Sequence, residues 1–295
     1  MMIHIGLDLG GTKIAGIALS QNGAVLGHHR IATPQTYPDI LKACTDLVAK
    51  LNIANDTVQR VGICTPGVID TDKGVITFSP NVTALKDKPF RDDLSNALNV
   101  PVYIANDAAC FTLSESRDGA GAGARIVYGV ILGTGVGGAL VVDQKMPSGP
   151  HRANEWGHVA FPFPDKDDVP AMCGCGRVGD IESYLSGPAL HRQLAEKLGR
   201  AIGNDELLAG INANDAAIMS VMERYATRLA KALAMLITIV DPDVIVLGGG
   251  VSNLDIIYKL VPPLIGKYTL SPVVKTKIIK AKHGDDSGLR GAAWL

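Results

Sequence analysis

Ile3-His4-Ile5-Gly6-Leu7-Asp8-Leu9-Gly10-Gly11-Thr12-Lys13-Ile14 decides the reading of this chain. Its apolar residues alternate with His4, Gly6 and Asp8, the period-2 pattern of a strand whose other face carries a carboxylate. The strand breaks at Gly10-Gly11 and a second apolar run, 13–19, follows, so the segment reads as a hairpin. Glycine lets backbone N–H groups approach phosphate oxygens with no Cβ in the way, and Thr12 adds a hydroxyl donor. Asp8 stands at the mouth of the turn. A carboxylate beside phosphate is repelled unless a cation such as Mg²⁺ lies between, which makes Asp8 the candidate magnesium-side residue.

The pattern returns further on. Strand-like runs at 126–132 and 139–142 flank Gly133-Thr134-Gly135-Val136-Gly137-Gly138. Either turn alone is ordinary hairpin punctuation. Together they predict two phosphate-gripping lobes around one cleft, with a hinge near the small-residue run 117–125. The expected division is 1–117 for the first lobe, joined by a C-terminal helix at 286–295 with Ser287 as a possible cap, and 118–285 for the second. Between the glycine turns, helical patterns at 39–51 and 108–116 alternate with strand-like runs, an α/β rhythm. Further helices are expected at 181–198 and 215–240. The continuous apolar run 244–247 predicts a strand buried on both faces, closed by Gly248-Gly249-Gly250, another place for close approach.

Composition narrows the function. A chain of 295 residues has room for one large or two medium domains. A net charge of −1 argues against a nucleic-acid partner, and 5% aromatic content against a stacking-based binder. The most apolar stretch, 232–240, is too short for the roughly 30 Å hydrocarbon layer and ends at Asp241-Pro242-Asp243, so no membrane partner is expected. The N-terminus has no basic start, apolar middle and small-residue cleavage site, which predicts a cytoplasmic protein. Cys44, Cys64 and Cys110 lie singly in apolar surroundings and read as small core residues.

Two clusters carry chemistry. Val102-Tyr103-Ile104-Ala105-Asn106-Asp107 is a strand ending in Asn-Asp before a helix, and ligands of open parallel sheets lie at such carboxyl ends. Asp107 is either the cap of that helix or, in a phosphoryl transfer, the base that takes a proton from the acceptor hydroxyl. The second cluster joins Glu155-Trp156-Gly157-His158 to Cys173-Gly174-Cys175-Gly176-Arg177-Val178-Gly179-Asp180-Ile181-Glu182. His158, Cys173 and Cys175 make a partial zinc set with Asp180 as a fourth ligand; the bland alternative is two free thiols and Asp180 capping the helix at Ile181.

These motifs, in this order and through nearly the whole chain, resemble the ROK group of repressors, open reading frames and sugar kinases. The resemblance implies an α/β, two-lobed actin-like ATPase (ribonuclease H-like) fold with central mixed sheets flanked by helices, a homodimer, and ATP and Mg²⁺ as cosubstrate and cofactor. It gives the nucleotide side to Asp8, Gly10, Gly11, Thr12, Lys13, Gly133, Thr134, Gly135, Gly137, Gly248, Gly249 and Gly250. It makes Asp107 the catalytic residue and gives the sugar to Asn81, Asn106, Asp107, Glu155, His158 and Glu182. Structural Zn²⁺ would sit on His158, Cys173, Cys175 and Asp180, the last standing where the group's motif has cysteine. The implied activity is transfer of the γ-phosphate to the 6-hydroxyl of a hexose, fructose first and mannose or glucose next, with N-acetylglucosamine or N-acetylmannosamine as the alternative. A sugar-sensing repressor is disfavoured, because seven residues before Asp8 hold no helix-turn-helix.

Overall fold

The computed structural model describes residues 2–52, 57–70, 72–79, 82–147 and 155–295. The opening segment forms β1 (Met2–Leu9) and β2 (Lys13–Ser20), antiparallel through the glycine turn, with β3 (Val25–Ala32) antiparallel to β2. Then follow α1 (Tyr37–Leu51), β4 (Thr57–Cys64), the small hairpin of β5 (Val68–Asp70) and β6 (Val75–Phe78), α2 (Phe90–Leu98), β7 (Val102–Ala105) and α3 (Asp107–Arg117). The strands make a mixed sheet ordered β3-β2-β1-β4-β7, with β4 parallel to both β1 and β7. Ile3, Ile5, Leu7 and Leu9 are buried from β1, packed with Ile40, Leu47 and Phe90 into one core.

The same plan recurs. β8 (Ile126–Leu132) and β9 (Val136–Val142) pair antiparallel across the second glycine turn. After α4 (Ile181–Leu185), α5 (Gly187–Leu198), α6 (Asn204–Asn212) and α7 (Ala216–Val240) comes β10 (Val244–Gly248), then α8 (Ile256–Leu260), α9 (Pro262–Ile265) and β11 (Lys277–Lys280). This sheet is ordered β11-β10-β8-β9 and its β10 is parallel to β8 and β11. All five residues of β10 are buried, as a two-faced strand requires. α10 (Ser287–Trp294) closes the described chain.

Two compact units result. One takes the chain up to Gly123, the stretch beginning at Gln144, and Lys282–Leu295; the other takes Ala124–Asp143 and the stretch ending at Ala281. The crossings at 123 and 282 differ from the 117 and 285 of the sequence reading, and a buried carboxylate is the reason. Glu115 is fully buried, and it accepts hydrogen bonds from the N–H groups of Ala120, Lys282 and His283 at 2.8–3.0 Å and from the Ser287 hydroxyl at 2.9 Å. Asp118 bonds His283 Nε2 at 3.0 Å and also Arg290. Four or more donors on one buried carboxylate offset its desolvation, so 118–123 and 282–286 stay with α3.

Two further expectations are corrected. The helix read as 181–198 is broken at Ser186, whose side chain caps α5 from outside while Pro188 sits in its first turn. Ser287 is not a cap of α10: its hydroxyl donates to Glu115 and to Gly284 O.

α10 lies against β1, β4 and α3 over a face of bare backbone. A Cβ on Gly6 would come within 2.4 Å of Ala293 N, and one on Gly62 within 1.8 Å of Ala292 O. A Cβ on Gly291 would be 1.7 Å from Cys110 O. The helix therefore rests on the sheet and on α3 backbone to backbone, which is what requires glycine at these three places.

Candidate active site

In the first unit, the carboxyl ends of β1 and β4 and the start of α3 bring together Asp8, Cys64 and Asp107. Asp8 pairs across the sheet with Cys64, and Cys64 with Ala105, two residues before Asp107. Asp8 is half-buried and its carboxyl is pushed above the usual carboxylate range, by burial first and by the negative charge of Asp107 next. Asn106, not Asp107, caps α3: its Oδ1 accepts from Ala109 N–H at 2.9 Å. Asp107 is the first helical residue, and one oxygen accepts its neighbour Ala108's N–H at 2.9 Å. Its side chain reaches solvent, yet the protein mass around it desolvates the carboxylate and raises its pKa. A carboxylate whose ionisation is made costly by a neighbouring like charge is the electrostatics a cation relieves, so the donor set fits Mg²⁺ at Asp8.

The turn beside them is held from behind. Gly10 N–H donates to Lys13 O at 3.1 Å, and Thr33 bonds Gly10 O through its hydroxyl at 2.7 Å and Thr12 O through its N–H at 3.1 Å. Thr12 and Lys13 are left exposed. This clamps the backbone while leaving its outer side chains free for a ligand.

In the second unit the corresponding turn closes through Gly133 N–H to Gly135 O at 2.9 Å. Glu182 supports it: Oε2 accepts from Val136 N–H at 2.8 Å while Oε1 accepts from the Cys173 thiol at 3.1 Å. A Cβ on Gly135 would lie 2.6 Å from that carboxylate. Gly137 O accepts the Trp156 indole N–H at 2.9 Å, so the tryptophan after Glu155 is packed under the hairpin. Gly249 has φ +81° and a Cβ there would be 2.5 Å from Leu132 O; Gly248 is inside the sheet, opposite Ile131; Gly250 has open space about it. Gly133, Thr134 and Gly250 border a cleft of about 610 Å³ whose remaining wall includes Leu190, His191, Asn204, Leu207 and Leu254. Apolar walls with a few polar groups beside a glycine turn suit a purine next to its phosphates. The wall residues come from α5, α6 and the turn after β10, which no spacing rule connects, and the sequence reading missed them.

His158, Cys173, Cys175 and Asp180 are brought together, with one donor atom from each lying within 4.8 Å of the others. Cys173 Sγ to His158 Nδ1 is 3.6 Å, Cys175 Sγ to Asp180 Oδ2 is 3.6 Å and His158 Nδ1 to Asp180 Oδ2 is 3.1 Å. Zinc bonds near 2.0–2.3 Å in a tetrahedron imply ligand separations of about 3.3–3.8 Å; the two distances to sulfur fall in that range, and His158 to Asp180, held by a direct hydrogen bond, lies just below it. Asp180 performs both roles that the sequence set against each other. Its Oδ1 accepts Ser183 N–H at 2.9 Å and so caps α4, while Oδ2 faces the cluster. Burial raises the Asp180 pKa, but bonds from Cys173, Ser183 N–H and His158 outweigh it and hold the carboxyl low. Desolvation and bonds to Asp180 and Glu182 push the Cys173 thiol up. Glu155 is exposed beside this loop, and Asn81 lies outside the described residues.

Comparison with known proteins then gives three kinds of likeness. The sequence profile of the ROK family matches residues 4–295. The chain is 38% identical over 300 residues to an N-acetyl-D-glucosamine kinase of Vibrio vulnificus (strain YJ016), covering 99% of each. Among solved structures it resembles the ROK hexokinase from Thermus thermophilus, with TM-score 0.87, 29% identity and coverage of 99% and 97%. A ROK family glucokinase from Streptomyces griseus, in complex with glucose and AMPPNP, matches with TM-score 0.76, 28% identity and coverage of 99% and 98%.

Proposed function

The chain belongs to the ROK family, and on that premise we propose that this ATP-dependent sugar kinase acts on N-acetyl-D-glucosamine, phosphorylating its 6-hydroxyl. The observation that carries the choice of sugar is 38% identity, end to end, with a kinase named for it. N-acetylglucosamine thus takes the place that the sequence reading gave to fructose.

In this reading Asp107 orients the primary hydroxyl and accepts its proton as the oxygen attacks the γ-phosphorus. Its freedom from capping supports the role, because Asn106 does that work. Asp8 would hold Mg²⁺, which when bound neutralises charge on the phosphate oxygens. The clamped turn at 10–13 and the turn at 133–135 supply N–H groups to those oxygens, and the cleft by Gly250 takes the base. Glu155 and His158 hold sugar hydroxyls. Glu182, with both oxygens engaged, supports the second turn as well as the sugar side.

The test is ADP release with N-acetylglucosamine, N-acetylmannosamine, glucose, mannose and fructose in parallel. N-acetylglucosamine is expected to give the highest kcat/KM by at least tenfold. A preference for fructose, or ADP release independent of any sugar, would overturn the assignment.

We further propose that the cluster on His158, Cys173, Cys175 and Asp180 holds one structural zinc ion. Asp180→Asn keeps an oxygen for the cap but loses the anionic ligand, and is expected to weaken zinc retention by at least tenfold with little loss of α4. Asp180→Ala loses both, adding a capping cost of about 1 kcal/mol. Zinc content after dialysis against a chelator, together with thermal unfolding, separates the two variants. Equal zinc in wild type and both variants would remove Asp180 from the ligand set.

A further inference from the structure

The first unit's sheet has a second end. On the face that carries Gly6 and Gly62, the carboxyl ends of the strands lead to Asp8 and Asp107. The amino ends lead to His4, Arg60 and Tyr103, since Gly62 pairs with Tyr103 and Arg60 lies two residues before Gly62 on the same face. The end of α3 places Arg117 there and α10 places Trp294 there. Arg60, Tyr103, Arg117 and Trp294 border a cavity of about 590 Å³, within the size range of small-molecule sites.

The charge of this cavity is unbalanced. Arg60, Arg91, Arg117 and Lys145 all line it. On the acidic side stand Asp92, which accepts from Arg91 Nε at 2.8 Å, and the main-chain carboxylate of Leu295. Among the described residues the side chains of Arg60 and Lys145, both on the cavity wall, make no hydrogen bond and no ion pair. Arg117 is spent on neutral partners: Nη1 donates to Gln144 Oε1 at 3.3 Å and its guanidinium lies 5.9 Å over the Trp294 ring. Its Nε, and the indole N–H of Trp294, are buried without a hydrogen-bond partner among the described residues. The crowding of positive charge is felt: burial, then Arg60 and Arg117, depress His4, and burial, then Arg60, depress Arg117. Half-buried arginines beside one another, neither of them ion-paired among the described residues, carry a repulsion that structural ion pairing does not explain.

We propose that this cavity binds a phosphate monoester of about the size of a hexose phosphate. A dianion neutralises two adjacent guanidinium groups, whose planar forks match phosphate oxygens. Lys145 supplies a point charge at the exposed rim, and Tyr103, 47% exposed, offers a ring face to the body of the molecule. The site is separate from Asp107: Asp107 and Arg117 stand at opposite ends of the 11-residue α3, about 15 Å apart along its axis.

Isothermal titration with glucose 6-phosphate, inorganic phosphate and malonate, at low and raised NaCl, tests the assignment on the full chain. Wild type is expected to bind the ester with one site per chain, more tightly than malonate and more weakly as salt rises. Arg60→Ala and Lys145→Ala are each expected to weaken that site at least tenfold, with kcat and KM for sugar and ATP unchanged. Both variants remove a side chain that is unpaired among the described residues, so folding is not at stake. Binding undiminished in both variants, no binding in wild type, or tighter binding of malonate would each overturn the proposal.

Discussion

Asp107→Asn lowers kcat by about 10²- to 10⁴-fold, the usual worth of a positioned general base, while ATP affinity stays within a few-fold of wild type. The second half of that expectation follows from the structure, since Asn106 rather than Asp107 caps α3 and the helix keeps its start in the variant. The pH dependence follows from the raised carboxyl. Turnover needs Asp107 ionised, so the acid limb of kcat/KM falls at a midpoint above the ordinary aspartate value of about 3.9.

Stability runs the other way. A carboxyl whose pKa is higher folded than unfolded binds its proton more readily in the folded state. Its cost is therefore absent below the unfolded value of about 3.9 and grows as pH rises through the folded one. Asp107→Asn removes that cost and also relieves Asp8, whose pKa Asp107 helps to raise. The variant should thus melt higher than wild type at neutral pH, with the difference vanishing below about pH 4. A variant that is inactive and also less stable at neutral pH would mean that Asp107 is structural, and the catalytic assignment would fail.

Gly62→Ala is expected to be the costliest single-methyl change within the strands of the first unit's sheet. The added carbon would sit 1.8 Å from Ala292 O and 2.7 Å from the carbon of the same carbonyl, so main chain has to move rather than a flexible side chain. Overpacking of this kind costs about 3 kcal/mol, at the upper end of the usual range. Urea unfolding followed through the first transition measures it, with Gly27→Ala as the comparison, because a Cβ there meets only Leu51 Cδ2 at 3.5 Å. Equal midpoints for the two variants would show that α10 does not rest on the sheet as described.

Much of this was legible in the sequence because periodic burial and glycine punctuation are local. Alternation from Ile3 to Leu9, the two glycine turns and the buried run at 244–247 each fixed an element within a residue or two. Motif order carried the family resemblance. What escaped was non-local. Nothing near Asp107 says that Asn106 takes the cap, because both residue types suit it. Asp180 looked like a choice between cap and ligand because a carboxylate's two oxygens can part company only in three dimensions. Glu115 stands in an ordinary helical run, and three of its four bonds come from 282–287, far away in sequence. The substrate was beyond the motifs, since family-wide residues hold hydroxyls common to several sugars.

The resting of α10 on Gly6 and Gly62 sets an order for synthesis. The sheet that carries Asp8 is finished among the first 105 or so residues, yet the helix that covers it is made only after the entire second unit has been synthesised. Until then a glycine-lined face of the nascent sheet, with Cys64 and Cys110 beneath the missing helix, stands uncovered. The second unit, continuous in its later part, can fold while the first waits, so a released chain truncated before residue 287 would hold a complete half and an open one.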